Sequence, residues 1–263
     1  MDEGESAAQQ NADDLPPTHS EVVGMALLSE LQPAIATAIV CLRGKPQKRV
    51  EDLFYFYACD HINTAVDGFI ILRRDHRIDG ARLLVRPALE TMLRLMAVCA
   101  KPHLVYRVLF DEAGEHDKWI GAVAKRHDEP YTPVIDRDEW RKFKATCASQ
   151  FGADKLMDAP FSAYDAAAAI GAEAYYDSRY RAYCQYTHGA LEAVSGNLDE
   201  PIDPEDSRVM LTSAMTALDV LVDMGADCPT IESLRGRFLG IMNKAPDELL
   251  RQKPGAPNQG SHG

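Results

Sequence analysis

The sequence predicts an all-α protein, a multi-helix bundle with a disordered tail at each end. Apolar residues recur at intervals of three and four along most of the chain, which is the spacing of a buried helix face. No segment combines enrichment in β-branched residues with strict alternation, so no strand is predicted. Hydrophobic residues make up 46% and charged residues 26%, as in globular proteins that bury a core. We therefore expect one helical domain at 19–253, between tails at 1–18 and 254–263.

Residues typical of helix ends delimit the first five helices. Gly44, followed by Lys-Pro, ends the first, and Asp79 is placed to cap the third through its carboxylate. Pro102 suits the first turn of the fourth helix, and Asp136 with Glu139 resembles a capping box for the fifth. In chain order the predicted helices cover 20–42, 48–74, 80–100, 102–125, 136–152, 174–195, 204–225 and 230–252.

The second half of the chain is less regular. Residues 153–172 are rich in alanine and predict at most a short helix between loops. A loop is expected at 197–203, directly before Pro204, which begins the next helix. Pro246 is expected to interrupt the last helix, because proline removes one backbone hydrogen bond.

Composition and motifs exclude several classes of protein. The net charge of −12 argues against a globally basic nucleic-acid-binding protein. The six cysteines form no Cys-x-x-Cys pair, and the common nucleotide-binding, hydrolase and zinc-protease motifs are absent, so we expect no metal and no other cofactor. The chain begins without the apolar core of a signal peptide, and its apolar runs are shorter than the roughly 18 residues of a membrane span. We expect a cytoplasmic protein without membrane contact.

One segment, at 72–107, is basic in this acidic chain. It contains eight Lys and Arg residues and three acidic residues, a local charge of +5. Such a patch can hold phosphate groups. Alternatively it is a solvated face that pairs with the acidic run at 111–117. Its basic residues are Arg73, Arg74, Arg77, Arg82, Arg86, Arg94, Lys101 and Arg107.

Two residues of the basic segment are placed to form a pair. Arg86 and Glu90 are four residues apart, so they lie on one helix face with apolar neighbours. Pro87, between them, is expected to kink the helix. The pair predicts either a binding site for a substrate or a structural ion pair at the edge of the core.

A second candidate group lies in the tyrosine-rich stretch at 175–189. Arg181 and His188 are seven residues apart, so they project from the same helix face, and Tyr180 and Tyr183 lie in the same sector. The histidine is suited to acid–base catalysis and the arginine to holding a phosphodiester. The tyrosines can stack on bases or donate hydrogen bonds. Alternatively, His188 is buried and fixes the packing of two helices.

These residues carry a resemblance. The run 75–90, with its Arg-x-x-x-Glu pair, and the later Tyr183 and His188 resemble an uncharacterised bacterial helical family related to the HEPN class (higher eukaryotes and prokaryotes nucleotide-binding domains). The resemblance implies an all-α bundle, often dimeric, and a metal-independent ribonuclease of a toxin or defence system. Arg181 and His188 would then be catalytic, and Arg86, Glu90, Tyr180 and Tyr183 would bind RNA.

Three alternatives remain open at this point. The first is a non-catalytic helical module that binds a protein or a small ligand, with Arg86, Glu90, Tyr183 and His188 as a structural polar cluster. The second is a metal site built from Glu90, His188 and either His61 or Asp60. The third is a homodimer. A dimer interface and ordinary packing in the core would each explain one apolar face equally well. That face comprises Met210, Leu211, Met215, Leu218, Leu221 and Val222.

Overall fold

The computed structural model describes residues 19–46, 49–127, 137–151, 161–187 and 204–243. These residues are helical almost throughout and contain no strand, which confirms the predicted all-α fold. The elements in chain order are α1 (His19–Arg43), α2 (Val50–Arg74), α3 (Ile78–Ala100), a 3₁₀ turn (Pro102–Leu104), α4 (Val105–His127), α5 (Arg137–Phe151), α6 (Ala163–Ala169), α7 (Glu173–Tyr175), a π-helical turn (Tyr176–Tyr180), α8 (Arg181–Thr187), α9 (Pro204–Asp223) and α10 (Ile231–Met242).

Several helix ends differ from their predictions for local reasons. Asp79 is not a cap, because α3 already begins at Ile78 and Asp79 lies within its first turn. Pro102 begins a 3₁₀ turn rather than α4, and the Leu104 N–H closes this turn on the Lys101 carbonyl at 2.9 Å. Pro87 lies inside α3, which continues on both sides of it.

Helix α6 falls in the alanine-rich stretch at 153–172, where a short helix between loops was expected. A capping box begins it: the Ser162 hydroxyl accepts a hydrogen bond from the Asp165 N–H, and the Asp165 carboxylate accepts one from the Ser162 N–H. The Ser-x-x-Asp spacing is a variant of the known helix-start pattern and was the available signal. The predicted tails, the loop at 197–203 and Pro246 lie outside the described residues.

The chain divides into two units. The first unit comprises Met1–Pro46, Phe56–Met92 and Tyr180–Gly263, and the second comprises Gln47–Tyr55 and Leu93–Arg179. In the first unit, α1 packs on α9 and α10 through side chains that are fully or almost fully buried. The predicted dimer face belongs to this core, because five of its six side chains are buried and Val222 is partly so. Core packing therefore accounts for that face.

Helix α9 ends in a glycine cap that also anchors the loop after α1. Gly225 has φ +92°, a left-handed conformation that residues with a Cβ atom rarely adopt. The Ala226 N–H reaches back to the Leu221 carbonyl at 2.9 Å, which satisfies the end of the helix. The Gly225 carbonyl accepts a hydrogen bond from Lys45 Nζ at 2.8 Å. The predicted end of this helix near Gly225 is thus found, two residues after Asp223.

The second unit is organised around Phe161, which is 1% exposed. Arg107 lies over its ring, with Cζ 5.2 Å from the ring centroid. Arg94 Nη2 donates a hydrogen bond to the Phe161 carbonyl at 3.3 Å. Helices α4 and α5 pack through the stacked rings of Phe110 and Phe143, whose centroids are 6.4 Å apart.

Helix α1 contains a longer apolar segment than we expected from the apolar runs in the sequence. The segment Val22–Arg43 is long and apolar enough to cross a membrane, judged by length and composition. The core helix of a soluble protein passes the same test, and the inner face of α1 is packed on α9 and α10. The expectation of no membrane contact stays a prediction.

Candidate functional site

Arg86, Glu90 and Tyr180 meet in the first unit. The Tyr180 hydroxyl donates a hydrogen bond to Glu90 Oε2 at 2.9 Å. Arg86 Nη2 lies 3.5 Å from the same hydroxyl, which is long for a hydrogen bond, and its Cζ lies 5.6 Å from the centroid of the Tyr180 ring. The guanidinium therefore contacts Tyr180 mainly through the face of the ring.

Local sequence explains how this cluster is built. Arg86 and Glu90 are one turn apart on α3, as their spacing predicts. Tyr180 is the last residue of the π-helical turn, and its side chain is buried. Isolated π-helical turns within helices are rare and are frequent at functional sites. Tyrosine suits this position because its ring packs while its hydroxyl finds a partner.

The surroundings keep the cluster in a defined charge state. Burial raises the pKa of Tyr180 to about 12; Arg86 acts to lower it and Glu90 to raise it further. Burial acts to lower the pKa of Arg86, but its contacts with Tyr180 and Glu90 outweigh this and leave that pKa raised. At neutral pH the phenol is therefore protonated and donates a hydrogen bond to Glu90, beside a charged guanidinium.

A second cluster lies deeper in the same unit. Arg82 Nε donates to Asp206 Oδ2 at 3.0 Å, and the Tyr183 hydroxyl donates to Asp206 Oδ1 at 2.7 Å. All three residues are at most 9% exposed. Asp206 lies in the first turn of α9, where the helix dipole stabilises a negative charge. The Tyr183 hydroxyl, which was predicted to join Arg86 and Glu90, donates to Asp206.

Asp206 and its pairing with Arg82 were not predicted from the sequence. Two signals were available: Arg82 precedes Arg86 by one turn, and Asp206 follows a helix-starting proline. The charges of this cluster also affect the pKa of a third basic residue, Arg73. Burial lowers the pKa of Arg73, Asp206 acts to raise it, and Arg82 acts to lower it.

Most arginines of the basic segment have partners within their own unit. In the first unit, Arg74 Nη2 donates to the Ser29 hydroxyl at 3.3 Å, besides the contacts of Arg82 and Arg86. In the second unit, Arg94 lies 3.6 Å from Glu112 and 4.0 Å from Asp111. Arg107 lies 3.8 Å from Asp165 in the same unit. One of the two alternatives predicted for the basic segment was pairing with the acidic run at 111–117. Arg94 makes this pairing, because Asp111 and Glu112 belong to that run.

Arg181 differs in exposure from the two tyrosines that flank it. It is exposed on α8, whereas Tyr180 and Tyr183 are buried. Each step along a helix turns the side chain by about 100°, so Arg181 points in a different direction from either tyrosine. The expected common sector of Arg181 and the two rings stays a prediction. His188 lies outside the described residues.

The hypothesis of a metal site also depends on His188. His61 is exposed on α2, and Asp60 is partly buried. Within the described ranges, no group of three or more His, Cys, Asp and Glu side chains could hold a metal ion. Glu90 instead accepts the hydrogen bond from Tyr180.

The raised pKa of Tyr180 predicts a loss of stability at alkaline pH. Because this pKa is about 12 in the folded chain and 10.0 ordinarily, the contribution is present below pH 10 and is lost as pH rises to about 12. Two pKa units correspond to about 2–3 kcal/mol. Urea unfolding from pH 8 to 12 should therefore show the wild type losing its advantage over Tyr180→Phe across this window. Tyr57→Phe, at a ring that is 63% exposed, is the matched control. A wild-type advantage that stays constant from pH 8 to 12 would contradict the assignment.

A comparison with known protein families identifies a match. The model of a family of unknown function, DUF5677, matches residues 54–206, more than half of the chain. The matched range includes both polar clusters, from Arg82 to Asp206. No curated protein and no solved structure matches the chain.

Proposed function

Because the chain belongs to the family of unknown function DUF5677, its role has to be argued from its own residues, and we propose that it is a non-catalytic helical module that binds a partner. In this proposal, Arg86, Glu90 and Tyr180 are a structural cluster that fixes α3 against the π-helical turn. Arg82, Tyr183 and Asp206 do the same for the start of α9.

One observation carries the proposal: two arginines of the basic segment, Arg82 and Arg86, contact groups of the protein itself. Arg82 is 3.0 Å from a buried carboxylate, and Arg86 is stacked on Tyr180. A guanidinium held in this way has less of its donor fork available for a ligand. The net charge of −12 also opposes binding to a polyanion.

We further propose a cytoplasmic location for the module. All six cysteines are free thiols, and Cys41 and Cys99 are exposed. Free thiols persist in a reducing compartment. This supports the location that the sequence predicts.

A metal-independent, HEPN-like endoribonuclease is the second candidate. It is favoured by the exposure of Arg181, directly after a π-helical turn, where a phosphodiester could reach it. His188 would take the 2′-hydroxyl proton or protonate the leaving oxygen, and Arg181 would stabilise the charge on the phosphate. Arg86, Glu90, Tyr180 and Tyr183 would then support the site.

Incubation with mixed RNA in EDTA separates the two candidates. The wild type is compared with His188→Ala and Arg181→Ala at equal concentration. Under the module proposal, the three proteins leave the RNA equally intact. Cleavage by the wild type that both variants lose would overturn the module proposal in favour of the nuclease. The structural role of Arg86 is tested separately: Arg86→Met should lower the free energy of unfolding by about 1–2 kcal/mol.

A further inference from the structure

We draw no further inference here: the strongest candidate, the partly buried Cys184 thiol on α8, one helical turn after Tyr180 and close enough to interact electrostatically with the Arg86 guanidinium, is a lone cysteine beside the cluster already described, and no second feature of the described residues indicates what would bind or modify it.

Discussion

Replacing Asp206 with alanine is expected to lower the free energy of unfolding by about 3–5 kcal/mol. The carboxylate is 2% exposed and is shared by the Arg82 guanidinium and the Tyr183 hydroxyl. Without it, a buried positive charge and a buried hydroxyl both lose their partner, and each costs free energy of desolvation. Urea unfolding followed by circular dichroism measures the change.

The exposed pair of Asp138 and Arg141 provides the control for this prediction. Their side chains are 72% and 77% exposed, and they are 2.8 Å apart. Asp138→Ala should therefore change stability by less than about 1 kcal/mol. A similar small effect for Asp206→Ala would show that the buried cluster is not needed for folding.

An apolar replacement of the whole cluster sharpens the test. Arg82→Met, Tyr183→Phe and Asp206→Leu together remove every member rather than leaving one unpartnered. Such replacements are often neutral or stabilising elsewhere. We expect the triple variant to recover most of the stability that Asp206→Ala loses. Continued strong destabilisation of the triple variant would mean that the ionic contacts themselves are required.

Replacing Phe161 with alanine is expected to destabilise the second unit by about 3–5 kcal/mol. The ring is fully buried and lies under the Arg107 guanidinium, so its loss leaves both a cavity and a cation without its aromatic face. The two tryptophans of the chain, at positions 119 and 140, belong to this unit, so tryptophan fluorescence can follow its unfolding.

Tyr164→Ala is the matched control for Phe161→Ala. Its ring belongs to the same unit, is 46% exposed and makes an edge contact with Tyr176 at 5.3 Å. We expect it to cost less than about 1.5 kcal/mol. Equal losses from the two substitutions would show that Phe161 does not organise this unit.

Spacing within one helix was sufficient to predict part of the candidate site. Arg86 and Glu90 share a helix face because four residues make about one turn, whatever the helix packs on. Helical periodicity likewise predicted α1, α2, α3 and α9 to within a few residues. In each case the information is local, because burial of one face imposes the pattern on neighbouring positions.

Contacts between distant helices could not be predicted in the same way. Asp206 is 124 residues from Arg82, and no local pattern encodes which helix end meets which arginine. Tyr180 and Tyr183 were expected to lie in one site, but their hydroxyls donate to different acidic partners, Glu90 and Asp206. The sequence of one helix indicates in which direction each side chain points. It does not indicate which other helix lies in that direction.

A single-codon deletion inside a helix normally turns every later side chain by about 100° and detaches it from its partners. The turn at Tyr176–Tyr180 is different, because its i→i+5 hydrogen bonds enclose one residue more than an α-helical turn. Losing one codon there would convert it to an ordinary turn, and Tyr183 would still point at Asp206. Among relatives of this chain, the deletion of one residue should therefore be tolerated in this segment and not within α3.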